Sequence, residues 1–270
     1  MINLIRSEWI KLTSTKALWW TTFLALVIPI ALTVMSGVFT GQNVTNPPSD
    51  QDPSTTAQIL EGLSVDGALS QFLFFGLMII MIQAVMTVTT EYGSGTAKTT
   101  LLATPSRWPV AVAKLLTYGT IAAVISFVTA VLSVVGMHWA AGLKIEDAAL
   151  LDRVSLGADS AWTMIGRLVL YTVLSVVISL GVGYLTRNTA GGIALLLLWK
   201  LVLEGILLGT LPWVRDHIAP FGPFSNIDNA AQMRDVTDAP WGQTGSILYF
   251  AAWCAVIFIL GVIALRRRDA

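Results

Sequence analysis

The feature that most constrains this chain is a set of long apolar runs separated by short charged segments. A helix crossing a hydrocarbon core of about 30 Å needs roughly 20 such residues. Six runs meet that length, at about 17–39, 67–90, 112–137, 160–186, 189–211 and 245–265. Charged residues make up 12% of the chain, against about 25% in an ordinary soluble domain, and the mean hydropathy is +0.73. The predicted class is an all-α integral membrane protein with six transmembrane helices in a single transmembrane domain, 1–270. The first run is read as a retained helix: it is too long for a signal-peptide core, and no A-x-A site follows it.

Net charge is zero, which excludes an overall basic nucleic-acid binder. The single cysteine, Cys254, lies within an apolar run and reads as a packing residue. Lys and Arg divide unevenly between the connections. Ten of them fall in the N-terminal segment, the second and fourth loops and the C-terminal segment: Arg6, Lys11, Lys16, Lys98, Arg107, Lys114, Arg187 and Arg266 to Arg268. The opposite face carries twelve of the acids. By the positive-inside rule both termini are expected in the cytoplasm of a cell, most simply at a bacterial plasma membrane.

Residues 1–16 space Ile2, Ile5, Trp9 and Leu12 by three, four and three positions, with Arg6, Glu8 and Lys11 mostly off that stripe. This predicts an amphipathic helix lying in the cytoplasmic interface. The outer segment 212–244 mixes aromatics and prolines with few charges. It is expected to form short helices lying on, or dipping into, the outer interface.

The stretch EYGSGTAKTT, between the second and third spans, first suggests a phosphate-binding loop. In a G-x-x-x-x-G-K-[ST] frame Lys98 and Thr99 fit, but Tyr92 and Ala97 stand where glycines must be. Without those glycines the backbone cannot close around an anion, so the chain is expected neither to bind nor to hydrolyse ATP alone. The longer sequence EYGSGTAKTTLLATPSRWPVAVAK resembles the signature of ABC-2 type (type V) ABC transporter permease subunits. The matching residues are Glu91, Gly95, Thr96, Leu101, Leu102, Pro105, Arg107 and Lys114.

The resemblance implies a permease subunit of an ATP-driven exporter, with loop 91–107 as a short coupling helix docked on a separate ATP-binding subunit. It further implies two copies of that subunit, a second permease subunit (identical or different), and ATP and Mg held by the partner. In this reading Gly93 and Gly95 turn the chain, Thr96 caps a segment 97–103, and Pro105 ends it. Leu101 and Leu102 present an apolar knob, while Arg107 and Lys114 anchor the exit among lipid headgroups.

In the fifth span WKLVLEG puts Lys200 and Glu204 on one face of an α-helix, near mid-membrane. Each charge there costs about 2.5–3.5 kcal/mol on insertion scales, so a partner or a polar cavity is required. Two readings stand: the pair neutralises itself in a dry helix contact, or it lines a translocation path. Gly205 and Gly209 form a small-xxx-small pattern suited to close helix packing. Gln83 and the Ser and Thr residues of the fourth span are weaker path candidates. No H-E-x-x-H, G-x-S-x-G or Asp-rich diphosphate motif occurs, and His138 and His217 are isolated; no metal site is expected. The competing functional readings are a secondary transporter using Lys200 and Glu204 as an ion site, and a non-transporting membrane immunity or assembly protein.

Overall fold

The computed structural model describes residues 1–46, 53–97, 107–207, 210, 212–236 and 239–267. Regular structure among them is helical, with no strand. Six helices are long and apolar enough to cross a membrane. In chain order the elements are α1 (Ile2–Ser14), α2 (Lys16–Thr45), α3 (Pro53–Gly62) and α4 (Val65–Gly93). Then come α5 (Trp108–Gly142), α6 (Ala148–Asp152), α7 (Ala161–Thr186) and α8 (Thr189–Leu197), which continues as a π-helix over Leu198–Leu207. Last are α9 (Pro212–His217), a 3-10 turn (Ala219–Phe221), α10 (Pro223–Ala231) and α11 (Gln243–Arg267). Six long helices overlie the expected spans, four of them reaching beyond the apolar run at both ends; residues 208, 209 and 211 of the fifth lie outside the described residues. Helix termini reach into the polar interface, where length alone gives no signal.

The chain divides into two compact units. The first comprises residues 1–21, 78–123 and 170–270. Its core is Ile80, Met81, Ala84 and Val88 of α4, Ala111 and Tyr118 of α5, Tyr171 and Ile178 of α7, and Phe224 and Phe250. The Tyr118 hydroxyl donates to the Ile80 carbonyl (3.1 Å), so the buried phenol is satisfied. Cys254 is buried in this core, as its apolar setting predicts. A β-carbon on Gly181 would lie 2.8 Å from the Ile257 backbone, and one on Gly261 would lie 2.6 Å from the Gly181 carbonyl oxygen. The α7 and α11 backbones therefore touch at a point where only glycine fits.

The second unit comprises residues 22–77 and 124–169. Here Gly37 and Gly41, four apart on α2, lie against Met137, Ala140 and Ala141 of α5, with β-carbon clearances of 3.0–3.2 Å. The Thr33 hydroxyl donates to the Ala68 carbonyl (3.1 Å). Within α4 the run Phe72–Gly76 is π-helical. A β-carbon at Gly76 would sit 2.4 Å from the Phe72 ring, so the widened turn depends on this glycine.

Candidate functional site

Two groups of charged side chains lie in the first unit, each around buried members. One joins α1, the end of α4 and the start of α5. Lys114 Nζ donates to Glu8 Oε2 (2.6 Å) and Glu91 Oε1 (2.8 Å), and Lys11 Nζ donates to Glu8 Oε1 (2.8 Å) and Glu91 Oε1 (3.1 Å). Lys114 and Glu8 are almost fully buried. Two cations and two anions cancel, and each carboxylate is held by both ammonium groups.

This arrangement gives α1 a second face, which is turned to protein. Its buried residues are Glu8 and Leu12, while Ile2, Trp9 and Ile10 are exposed. The polar face turns toward protein because Glu8 and Lys11, one helical turn apart, meet partners there. Burial, the largest influence on Glu8, pushes its carboxyl up. Lys114 and Lys11 together outweigh that and hold it below the usual carboxylate range. Burial likewise pushes the Lys11 ammonium down, and the hydrogen bonds and charges of Glu8 and Glu91 overcome this to leave it raised.

The loop that begins at Glu91 leaves α4 through Gly95, whose φ of +73° is in the left-handed region. Gly93 has no such angle, so the sharp turn belongs to Gly95. Thr96 already lies in helical backbone, and its Oγ1 shares a hydrogen bond with Ser94 Oγ (2.9 Å). Leu101, Leu102 and Pro105 lie outside the described residues. Lys114 is not a headgroup anchor: the two carboxylates draw it inward. Arg107 Nη1 donates to the Leu265 carbonyl (2.9 Å), and Arg187 Nη2 donates to the Ala264 carbonyl (3.2 Å). Both guanidinium groups thus satisfy carbonyls that the last turn of α11 leaves open.

The second group surrounds Lys200 and Glu204, which are both buried, yet they form no ion pair with each other. Lys200 Nζ binds Asp228 Oδ2 (2.7 Å) and Oδ1 (2.9 Å) and donates to the Tyr171 hydroxyl (2.7 Å). The ammonium also faces the Tyr171 and Phe224 rings, at 5.2 and 5.5 Å from their centroids. Glu204 Oε2 accepts from the Ser225 backbone N–H (2.7 Å), inside the first turn of α10. Glu204 therefore caps α10 from a neighbouring segment. Its other oxygen, Oε1, is buried without a hydrogen-bond partner. The mutual pairing fails because Asp228 takes the Lys200 ammonium and the Ser225 N–H takes the Glu204 carboxylate, in a segment, Leu198–Leu207, that is π-helical. The i→i+5 hydrogen bonds keep residues four apart on about the same face, and each side chain turns to its own partner in α10.

The segment expected as short outer helices contains α9, the 3-10 turn and α10. In α10, Phe224, Asn226, Ile227 and Ala230 are buried. Asn226 Nδ2 donates to the carbonyls of Pro220 (2.8 Å) and Gly222 (2.9 Å), and Oδ1 accepts from Trp241 Nε1 and Ser246 Oγ (both 2.9 Å). Asp228 and Asn226 escaped sequence reasoning: only polar residues recurring among FGPFSNIDNA marked them. Gly205 is exposed, with room for a β-carbon, and Gly209 lies outside the described residues. Among the described residues, Gly181, Gly261, Gly37 and Gly41 are glycines that make close helix contacts. The last two form a G-x-x-x-G signal legible in the sequence.

Six long apolar helices, with ionisable groups buried and paired between them, define a polytopic membrane protein. Within that class the chain belongs to the ABC-2 transporters: residues 4–209 match the family described as ABC-2 family transporter protein. It is accordingly a permease component of a transport system and not itself catalytic. No curated protein matches the sequence.

Proposed function

We propose that this chain is the membrane half of an ATP-driven exporter and receives the ATPase stroke through loop 91–107. The observation that carries the reading is the quartet Glu8, Lys11, Glu91 and Lys114, with Glu8 and Lys114 buried at its centre. It fixes the residue where the loop begins, a residue just beyond its end, and helix α1 to one another. A force applied to a loop moves a helix bundle only if the loop's ends are rigidly held, and a satisfied low-dielectric network supplies that rigidity. In this reading the loop faces the cytoplasm, as do both termini, in agreement with the Lys and Arg distribution. The ATPase is a separate polypeptide in two copies carrying ATP and Mg, and two permease subunits complete the path.

The path side of the proposal rests on Lys200, Glu204, Asp228 and Tyr171. The π-helical stretches in α4 and at the end of α8 support it, since such widened turns collect at functional sites. A partly unsatisfied carboxylate in a span is costly, and its presence favours a transport role over simple packing. The test is copurification with a candidate ATP-binding subunit, followed by ATP-dependent transport in proteoliposomes. Gly95→Pro, which the left-handed φ forbids, is expected to leave insertion intact and lose the complex. Unchanged copurification and transport in that variant would reduce the loop to a tether. ATP turnover by the permease alone would also defeat the proposal.

A further inference from the structure

The charges of α1 divide between its two faces. Glu8 and Lys11 turn to the quartet, where Lys114 and Glu91 complete the neutralisation. The opposite face presents Ile2, Arg6, Trp9 and Ile10, all exposed. Arg6 is one helical turn from each of the three apolar side chains, so they ring it. Lys16, which opens α2, is exposed close to the exposed Trp19 and Trp20. Trp19 Nε1 donates to the Thr13 carbonyl (3.0 Å), which ties the start of α2 to the end of α1.

The rest of this end of the unit has the same sign. Arg107 meets the Leu265 carbonyl and Lys114 meets Glu8, so the end of α11 and α1 both lie against the start of α5. Arg266 and Arg267, in the last turn of α11, are exposed, as is Trp108, which opens α5. The sequence puts three acids on this side, Glu8, Glu91 and Asp269. Asp269 lies outside the described residues, and the quartet holds the other two. Arg6, Lys16, Arg266 and Arg267 form no ion pair with another described residue. Among the described residues the exposed charges at this end are therefore cations, because the clamp has withdrawn the acids.

Exposed Trp and Ile side chains are unfavourable in water and favourable at the headgroup level of a bilayer. At that depth the groups that meet an arginine are lipid phosphates, which a guanidinium binds in bidentate fashion. A choline headgroup brings its own cation to that contact, and an anionic headgroup does not. We propose that the outward face of α1, with Lys16 and the end of α11, is a docking surface for anionic phospholipid headgroups, centred on Arg6. A protein partner would need acids ringed by apolar surface to match it, whereas an anionic leaflet supplies both throughout its plane. One chain builds the surface, so the inference does not rest on the exporter reading.

The experiment is photolabelling of the full chain in phosphatidylcholine nanodiscs doped with a diazirine-bearing phospholipid. That lipid is either phosphatidylglycerol or phosphatidylcholine with the same acyl chains. Labelled peptides are mapped by mass spectrometry, and the yield at residues 1–20 is normalised to that in α5. At low salt phosphatidylglycerol is expected to label residues 1–20 about fivefold more than phosphatidylcholine, the scale of one cation near an anionic surface. The preference should shrink toward unity at about 1 M salt, where the screening length is about 3 Å. Arg6→Gln combined with Lys16→Gln should remove most of it. Both side chains are exposed, so thermal unfolding of this variant should match that of the unaltered chain. Arg6→Lys with Lys16→Arg, which keeps both charges, should retain the preference. So should Arg153→Gln, which removes an exposed cation from the second unit. Equal labelling by the two lipids at low salt, or a preference unchanged after both cations are removed, would overturn the proposal. Absence of labelling at residues 1–20 by either lipid would do the same, since protein and not lipid would then cover this face.

Discussion

The two buried charge groups are built on opposite rules. At the quartet two cations meet two anions, every ammonium is directed at carboxylates, and three helices are joined. Around Lys200 one cation stands with two anions, Asp228 and Glu204, and one carboxylate oxygen is unmatched. The first group is neutral and closed, the second unbalanced and open. A fully satisfied buried network rigidifies, whereas a partly satisfied one stores a cost that an occupant or a rearrangement can relieve. On the proposed function, that difference separates a clamp from a site.

The comparison is broken most forcefully at the clamp. Lys114→Met leaves Glu8 buried with half its compensation, and removing one partner of a buried pair costs about 3–5 kcal/mol. The expected outcome is a large drop in thermal stability of the purified protein; a shift within error would show that the quartet carries no structural load.

Lys200→Met is expected to cost less, about 1.5–3 kcal/mol, the scale of hydrogen bonds to a charged group, because Asp228 is one-third exposed and can rehydrate. The second substitution that restores stability should be Asp228→Asn and not Glu204→Gln. Denaturation of the two double variants decides, and rescue by Glu204→Gln would return the pairing to the one expected from i,i+4 spacing.

Glu204→Gln alone should alter stability by no more than about 1 kcal/mol, since an amide oxygen can still accept from Ser225 while the unmatched oxygen is replaced. Its effect should appear in ATP-dependent transport normalised to folded protein. Wild-type transport would place Glu204 outside the path.

The smallest effect is on pH. The folded value of Glu8 is below its unfolded one. Its contribution is present above the unfolded value and is lost as pH falls through the folded one. For Lys11 the folded value is raised, so its contribution is present below the unfolded value and is lost as pH rises through the folded one. The clamp should therefore be insensitive to pH from about 5 to about 10, with stability falling outside those limits. A transition near neutrality in Trp9 fluorescence would contradict this assignment.

The spans were legible because length and hydropathy are local properties. The N-terminal helix was legible too, but the protein partners of Glu8 and Lys11 were not. A stripe of Ile2, Trp9 and Leu12 says which residues are apolar, and both lipid and protein accept apolar surface. The partner of Lys200 was hidden for two reasons. The i,i+4 spacing of Lys200 and Glu204 offers a local pairing that masks a distant one, and Asp228 arrives from the outer segment, whose aromatics and prolines signal interfacial helices and not a contact with a span. Gly76 and its fit against Phe72 are equally silent in one sequence, since a glycine in a span has many uses.

Cys254 is the only cysteine of the chain and is 1% exposed. A thiol so enclosed is slow to meet water-soluble maleimides. The natural sequence is thus already a quiet background for attaching a reporter dye or spin label at one chosen position. A cysteine introduced at exposed Ser94, where α4 gives way to the loop, would report the clamp. One at exposed Arg234, just beyond α10, would report the Lys200 group. The relative motion of clamp and site could then be followed during turnover without first rebuilding the core.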